Sequence, residues 1–126
     1  MSDREVANVL IADDDAIFRR VMEFTVRRRG WNPVVACDGQ AAWECLQHGS
    51  ISFLITDQQM PRMTGLELLQ RKDADDSLRH IPAALCTAKG SELDTVHLRS
   101  SLGLVAVFRK PFSPSCIVEA VASILN

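Results

Sequence analysis

The sequence predicts an α/β fold, in which five helices cover both faces of a single doubly wound sheet of five parallel strands. Two observations carry this prediction. Short apolar segments that suit buried strands alternate along the whole chain with amphipathic segments that suit helices, as repeated βα units require. The chain of 126 residues also has the length of one ordinary domain, so residues 1–126 are expected to share a single core.

The five strands are predicted from short apolar runs, each followed by sequence that favours a helix. The third run is the most uniformly apolar, as expected of a central strand that is buried on both faces. The runs are residues 9–12, 33–36, 51–56, 81–86 and 104–108.

The first two helices are predicted from their start and stop residues. The first helix is expected from about Ala16 to Arg29, with Gly30 ending it. Asp38 can cap the second helix, which is expected to end at Gly49. The predicted inward-facing side chains are Ile17, Phe18, Val21, Met22 and Phe24 on the first helix, and Ala41, Ala42, Cys45 and Leu46 on the second.

Capping patterns predict the starts of the other three helices. Thr64–Glu67 has the form of a capping box, which places the third helix start at about Gly65. Ser91 can begin the fourth helix, and Ser113 with Pro114 supplies a cap and a first-position proline for the fifth. The predicted apolar face of the fifth helix consists of Ile117, Val118, Val121, Ile124 and Leu125.

The composition is that of a globular protein and excludes several classes of function. Hydrophobic residues make up 47% and charged residues 24% of the chain, and a net charge of −2 attracts neither nucleic acid nor a membrane. The charged N-terminus leaves no room for a signal peptide, and no apolar segment reaches the ~20 residues of a membrane span. We therefore expect a cytoplasmic protein. The scattered cysteines are expected to be reduced and mostly buried: Cys37, Cys45, Cys86 and Cys116.

Polar side chains follow four of the predicted strands, at the ends where an open parallel sheet binds its ligands. They are Asp13, Asp14, Asp57, Thr87 and Lys110. Three clustered carboxylates repel one another, because unit charges ~4 Å apart interact by about 4 kcal/mol at an effective dielectric near 20. A Mg²⁺ ion would relieve this repulsion, since it prefers oxygen ligands and leaves positions open for phosphate oxygens. The sequence therefore predicts a metal site that suits phosphoryl transfer.

Each of these residues has a possible role in such a reaction. Asp57 is the best candidate for a nucleophile, because it alone follows the central strand, and Asp13 and Asp14 suit a metal. Thr87 and Lys110 can bind phosphate oxygens. Taken singly, each residue has an ordinary structural explanation, such as an acidic helix start or a turn. Their joint occurrence at successive strand ends favours a site.

Three segments carry a resemblance to a known family. Residues 9–15 (VLIADDD), 53–65 (FLITDQQMPRMTG) and 108–112 (FRKPF), with Thr87 followed by Ala88, resemble the receiver domain of two-component response regulators over essentially the whole chain. The resemblance implies a flavodoxin-like fold with strand order 2-1-3-4-5. It also implies a signalling module that catalyses its own phosphorylation and dephosphorylation, rather than an enzyme.

The resemblance also assigns the acceptor and the metal ligands. It implies that Asp57 accepts a phosphoryl group from a histidine kinase or histidine phosphotransfer protein, and that this switches binding to a downstream output domain or protein. Asp14 and Asp57 would hold Mg²⁺ directly, and Asp13 would do so through water. The backbone carbonyl of Gln59 would complete the protein ligands.

One position departs from the family pattern. By resemblance, Thr87 and Lys110 bind the phosphoryl oxygens, and the Lys110–Pro111 peptide bond is cis. Receivers commonly carry Tyr or Phe three residues before this lysine, as a ring that turns inward on activation, whereas this chain has Val107. The adjacent Phe108 is expected on the opposite face of the strand.

Because of Val107, we predict that activation moves the loops of the site and the fourth helix instead of an aromatic switch. Addition of beryllofluoride, which mimics a phosphoryl group, is expected to shift the backbone amide resonances of the fourth helix. Amide shifts that stay unchanged throughout this helix would contradict the prediction.

Two other functions share parts of this pattern. A phosphatase of the haloacid dehalogenase class also uses Asp, Mg²⁺, Thr and Lys, but it needs a carboxylate two residues after the nucleophile, where this chain has Gln59. A flavin binder needs a phosphate loop rich in Ser, Thr and Gly after the first strand, where residues 13–15 would repel phosphate. The fifth helix carries one charge, Glu119, so at most a weak homodimer is expected.

Overall fold

The structure is a computed structural model that describes residues 6–88 and 95–125. The strands are β1 (Asn8–Ala12), β2 (Asn32–Ala36), β3 (Phe53–Asp57), β4 (Ala83–Thr87) and β5 (Ala106–Arg109). The helices are α1 (Ala16–Arg28), α2 (Gly39–His48), α3 (Gly65–Asp73), α4 (Thr95–Ser101) and α5 (Pro114–Leu125). The strands form one parallel sheet in the order β2-β1-β3-β4-β5. The predicted fold class and strand order are confirmed.

The core consists of two layers, because alternate residues of each strand point to opposite faces of the sheet. Leu10, Leu54 and Leu85 belong to the layer covered by α2 and α3, with Leu98 of α4 packed against it. Ile11 and Ile55 belong to the layer covered by α1 and α5. The sheet is therefore doubly wound, and its strand ends lie between the two layers of helices.

Three strands begin two residues later than predicted, namely β3, β4 and β5. The leading apolar residues of the predicted runs, Ile51, Ile81 and Leu104, are nevertheless at most 8% exposed. They are buried in the connections that precede the strands. An apolar run in the sequence indicates that its residues are buried, but it does not distinguish a paired strand from a buried connection.

The predicted inward face of α1 is wrong for three residues. Ile17, Val21 and Phe24 are 76%, 42% and 63% exposed, whereas Met22 and Val26 are fully buried. Both sets of residues have helical spacing, so the sequence alone does not tell which one faces the sheet. On α5, Ile124 is also exposed, contrary to the prediction.

Several helix starts are confirmed. Asp38 accepts a hydrogen bond from the Ala41 N–H at the start of α2. Thr64 and Glu67 form the predicted capping box of α3, and Pro114 is the first residue of α5. The predicted start of the fourth helix at Ser91 lies outside the described residues. Within the described ranges, no helix is long and apolar enough to cross a membrane.

The prediction that the cysteines are mostly buried is wrong. Cys37 and Cys116 are exposed, Cys45 is half-buried, and only Cys86 is buried. Cys37 follows β2 in a turn, and Cys116 lies in the first turn of α5, so neither side chain reaches the core. Burial raises the pKa of the Cys86 thiol well above its usual range.

Candidate functional site

The predicted site residues lie at the carboxyl edge of the sheet. Asp13 directly follows β1, Asp57 and Thr87 are the last residues of β3 and β4, and Lys110 directly follows β5. The Asp13 N–H donates to the carbonyl oxygen of Ala36 across the sheet, at 3.1 Å. Parallel pairing brings these chain-distant residues to one edge, as the sequence predicted.

The three carboxylates form a compact cluster. One carboxylate oxygen from each of Asp13, Asp14 and Asp57 lies within 4.8 Å of the other two. Asp13 is 1% exposed and Asp57 is 6% exposed, whereas Asp14 lies on the surface. The cluster therefore has one open side, through which an ion or a small phosphorylated group can reach the buried carboxylates.

Lys110 places a positive charge beside two of the carboxylates. Its Nζ atom lies 3.1 Å from Asp57 Oδ1 and 3.6 Å from Asp13 Oδ2. Burial raises the pKa of Asp57, although the hydrogen bond from Lys110 acts in the opposite direction. Burial also raises the pKa of Asp13. For Lys110, burial lowers the pKa, but its interactions with Asp57 and Asp13 outweigh burial and raise the pKa overall. Lys110 therefore only partly offsets the cost of burying the charges of Asp13 and Asp57.

One oxygen of the cluster has unused bonding capacity. Asp13 Oδ1 accepts a hydrogen bond from the Asp15 N–H at 2.8 Å. Asp13 Oδ2 is buried and, among the described residues, accepts no hydrogen bond. A buried carboxylate oxygen that accepts no hydrogen bond, beside two further carboxylates, is the type of donor set that Mg²⁺ prefers. The residues present thus fit a divalent cation.

The remaining predicted residues flank this cluster. Thr87 is 1% exposed, and its carbonyl oxygen accepts a hydrogen bond from the Lys110 N–H at 2.8 Å, which ties the end of β5 to β4. The Lys110–Pro111 bond is cis, as expected. Gln59 lies exposed in the connection after β3. Val107 packs on the layer of α2 and α3, whereas Phe108 packs on the layer of α1 and α5.

The segment after Asp57 is fixed by contacts that were not predicted from the sequence. The Gln58 carbonyl oxygen accepts a hydrogen bond from the Gly65 N–H at 3.1 Å, and Gln58 Oε1 accepts one from the Leu66 N–H at 2.8 Å. Arg62 has a left-handed backbone (φ 72°), and its side chain pairs with Asp38 at 3.4 Å. A bulky residue with positive φ gives no signal in the sequence.

Two residues of α1 at the site were also missed. Arg19 Nη1 donates a hydrogen bond to the Asp13 carbonyl oxygen at 2.7 Å. The ring of Phe18 lies beside Lys110, with its centroid 5.1 Å from Nζ. The presence of Arg19 one turn after an acidic cluster was a possible signal, but nothing in the sequence connects Phe18 with Lys110.

Comparison with known proteins agrees with this geometry. The response regulator receiver domain family matches residues 9–122. The chemotaxis protein CheY of Pseudomonas aeruginosa is 34% identical over 119 residues, which cover 94% of this chain and 95% of that protein. The chemotaxis protein CheY-3 of Vibrio cholerae is 32% identical over 119 residues, covering 94% of this chain and 91% of that protein.

Solved structures give the same result for the fold. The chemotaxis response regulator CheY4 of Vibrio cholerae superposes with a TM-score of 0.84 at 23% identity, over 96% of this chain and 100% of that one. A response regulator receiver protein from Pseudomonas putida superposes with a TM-score of 0.86 at 23% identity, over 95% and 98% of the two chains. The chain belongs to the family of response regulator receiver domains, whose general function is to accept a phosphoryl group on an aspartate in two-component signalling.

Proposed function

We propose that Asp57 is the aspartate that accepts the phosphoryl group, in a reaction that requires Mg²⁺, and that residues 1–126 act as one receiver domain. One observation carries the assignment. Asp57 ends the central strand, its carboxylate lies beside those of Asp13 and Asp14, and its Oδ1 lies 3.1 Å from the Lys110 ammonium. Among the three clustered carboxylates, this one combines a rigid strand end with direct contact to the lysine.

The surrounding residues have distinct roles in this proposal. Asp13, Asp14 and Asp57, with the backbone carbonyl of Gln59, hold Mg²⁺, which supplies positive charge for the carboxylates and the phosphoryl oxygens. An oxygen of Asp57 forms the new bond to phosphorus while the bond from phosphorus to the donor breaks. Thr87 donates a hydrogen bond from its hydroxyl group to one phosphoryl oxygen.

Lys110 binds another phosphoryl oxygen through its ammonium group. This group already lies between Asp57 and Asp13, so only a short movement brings it to an oxygen bonded at Asp57. In the transfer it stabilises negative charge and is not consumed.

Phosphoryl transfer at Asp57 involves two classes of partner, a donor and an output partner. The phosphoryl donor is a histidine kinase or a histidine phosphotransfer protein, and the phosphorylated chain changes its affinity for an output domain or protein. The domain also catalyses its own phosphorylation by small donors and its own dephosphorylation. Small donors therefore provide a test that does not need the partner.

Incubation with acetyl phosphate and Mg²⁺ is expected to add one phosphoryl group per chain, and removal of Mg²⁺ with EDTA is expected to prevent the addition. The physical reason is that the site must bring a phosphoryl group with several negative charges next to three carboxylates. Intact-mass spectrometry measures the product, and restoring excess Mg²⁺ to the EDTA sample is the control.

Two outcomes would contradict the proposal. Phosphoryl addition that is equally fast in EDTA would remove the role of Mg²⁺. Steady release of phosphate from p-nitrophenyl phosphate, without a phosphorylated protein at the end, would instead favour a phosphatase.

A further inference from the structure

The ring of Phe18 lies beside the ammonium group of Lys110. The Nζ atom is 5.1 Å from the ring centroid, and the same atom contacts Asp57 Oδ1 at 3.1 Å. An ammonium group within about 6 Å of an aromatic centroid is attracted by the negative face of the ring. Lys110 therefore has a neutral aromatic partner on one side and carboxylates on the other.

Phe18 is held in place by two further rings. It packs edge to face against Phe112, with centroids 5.7 Å apart and an interplanar angle of 86°. Phe112 in turn contacts Phe108, with centroids 5.5 Å apart. These two residues stand two positions after and two positions before Lys110 in the chain, so the rings support both sides of the segment that carries the lysine.

The lysine side chain needs such support. It has a four-carbon stem with several rotatable bonds, and a third of it is exposed. Its contacts with Asp57 and Asp13 depend on the charge of the carboxylate cluster, which changes whenever a cation or a phosphoryl group binds. The contact with Phe18 does not depend on that charge, because the ring is neutral.

We propose that Phe18 is a positioning residue, which holds the Lys110 ammonium at the edge of the carboxylate cluster through a cation–π contact. Phe18 itself touches no reacting atom, and it acts through Lys110. The effect on phosphoryl transfer rests on the proposed function, whereas the effect on the position of Lys110 does not. Contacts of this kind correspond to a change of about 2- to 30-fold in an equilibrium or rate.

Fluorination of the ring tests the proposal with almost no change in shape. Incorporation of 3,4,5-trifluorophenylalanine at position 18 weakens the negative ring face. We expect a change in the NMR shifts of the Lys110 Hε protons and a several-fold slower phosphorylation by acetyl phosphate with Mg²⁺. Phe18→Trp, which retains an aromatic face, is expected to keep more of the rate than Phe18→Leu.

Phe24 provides a matched control on the same helix. Its ring also lies beside a cation, with Arg28 Cζ 5.7 Å from its centroid, but it is 63% exposed and outside the site. The same trifluoro substitution at Phe24 is expected to leave both the Lys110 shifts and the phosphorylation rate unchanged.

The results separate this inference from the proposed function. Equal rates and equal Lys110 shifts for the fluorinated and the unmodified Phe18 proteins would overturn the positioning role. If the unmodified protein takes up no phosphoryl group, the proposed function fails, and the Lys110 shifts alone then decide the inference. Shifts that respond to fluorination would support it, and shifts that do not respond would overturn it.

Discussion

Replacing Asp57 with asparagine is expected to abolish phosphoryl uptake from acetyl phosphate, because an amide oxygen lacks the charge that makes the carboxylate a nucleophile. The asparagine side chain has nearly the same shape as that of aspartate. The loss of phosphorylation would therefore be caused by the missing carboxylate and not by altered packing. Intact-mass spectrometry after incubation with acetyl phosphate and Mg²⁺ measures the outcome, with the unmodified protein treated in parallel.

The same variant is expected to be more stable than the original protein at pH 7 without Mg²⁺. Burial raises the pKa of Asp57, which means that the folded state disfavours the charged carboxylate. Above that raised pKa the charge therefore lowers the free energy of unfolding, and asparagine removes this cost. The advantage of the variant is expected to shrink as the pH falls through the folded-state pKa of Asp57, where the carboxyl group becomes neutral as well. Urea denaturation at several pH values measures the difference in the free energy of unfolding between the two proteins.

Asp15 offers a matched control for the loss of one charge. Its side chain caps α1 by accepting hydrogen bonds from the Ile17 and Phe18 N–H groups, and asparagine is an equally good cap. Asp15→Asn is therefore expected to take up a phosphoryl group normally. A phosphoryl group that still attaches to Asp57→Asn at the original rate would show that another residue is the acceptor.

The position of the site could be predicted because topology alone determines it. In a parallel sheet every strand ends at the same edge, so a polar residue at the end of an apolar run has a known location. This is why Asp13, Asp57, Thr87 and Lys110 could be grouped from the sequence. This grouping does not require knowledge of the direction or the rotamer of any side chain.

Contacts that depend on side-chain direction could not be predicted in the same way. Two sets of apolar residues on α1 have helical spacing, and packing against the sheet selects Met22 and Val26 over Ile17 and Phe24. The contact of Phe18 with Lys110 joins α1 to the end of β5, and no local pattern encodes it. The residues at the strand ends could therefore be grouped from the sequence, whereas the side-chain contacts that hold them in place are seen only in the structure.

Gly65→Ala is expected to destabilise the fold and to disturb the site together. A Cβ atom at position 65 would overlap the carbonyl oxygen of Asp57 and would lie 3.1 Å from the Gln58 Cα atom. These are backbone atoms, so they can give way only if the end of β3 moves. Overpacking costs about 1–3 kcal/mol, whereas the better helix propensity of alanine returns at most about 1 kcal/mol. A net loss in the free energy of unfolding is therefore expected, measured by urea denaturation.

The effect on the site distinguishes this prediction from simple destabilisation. The backbone that would move is that of Asp57, so phosphorylation by acetyl phosphate is expected to slow even at temperatures where the Gly65→Ala protein is fully folded. Gly30→Ala is the control, because Gly30 has φ +87° with no atom within 4 Å of an added Cβ, and it follows the C-terminal end of α1, whereas the carboxylates lie at the N-terminal end. It is expected to cost about 1–2 kcal/mol in stability and to leave the phosphorylation rate unchanged. If Gly65→Ala keeps both its stability and its rate, the close approach of α3 to the end of β3 does not fix the position of the Asp57 carboxylate.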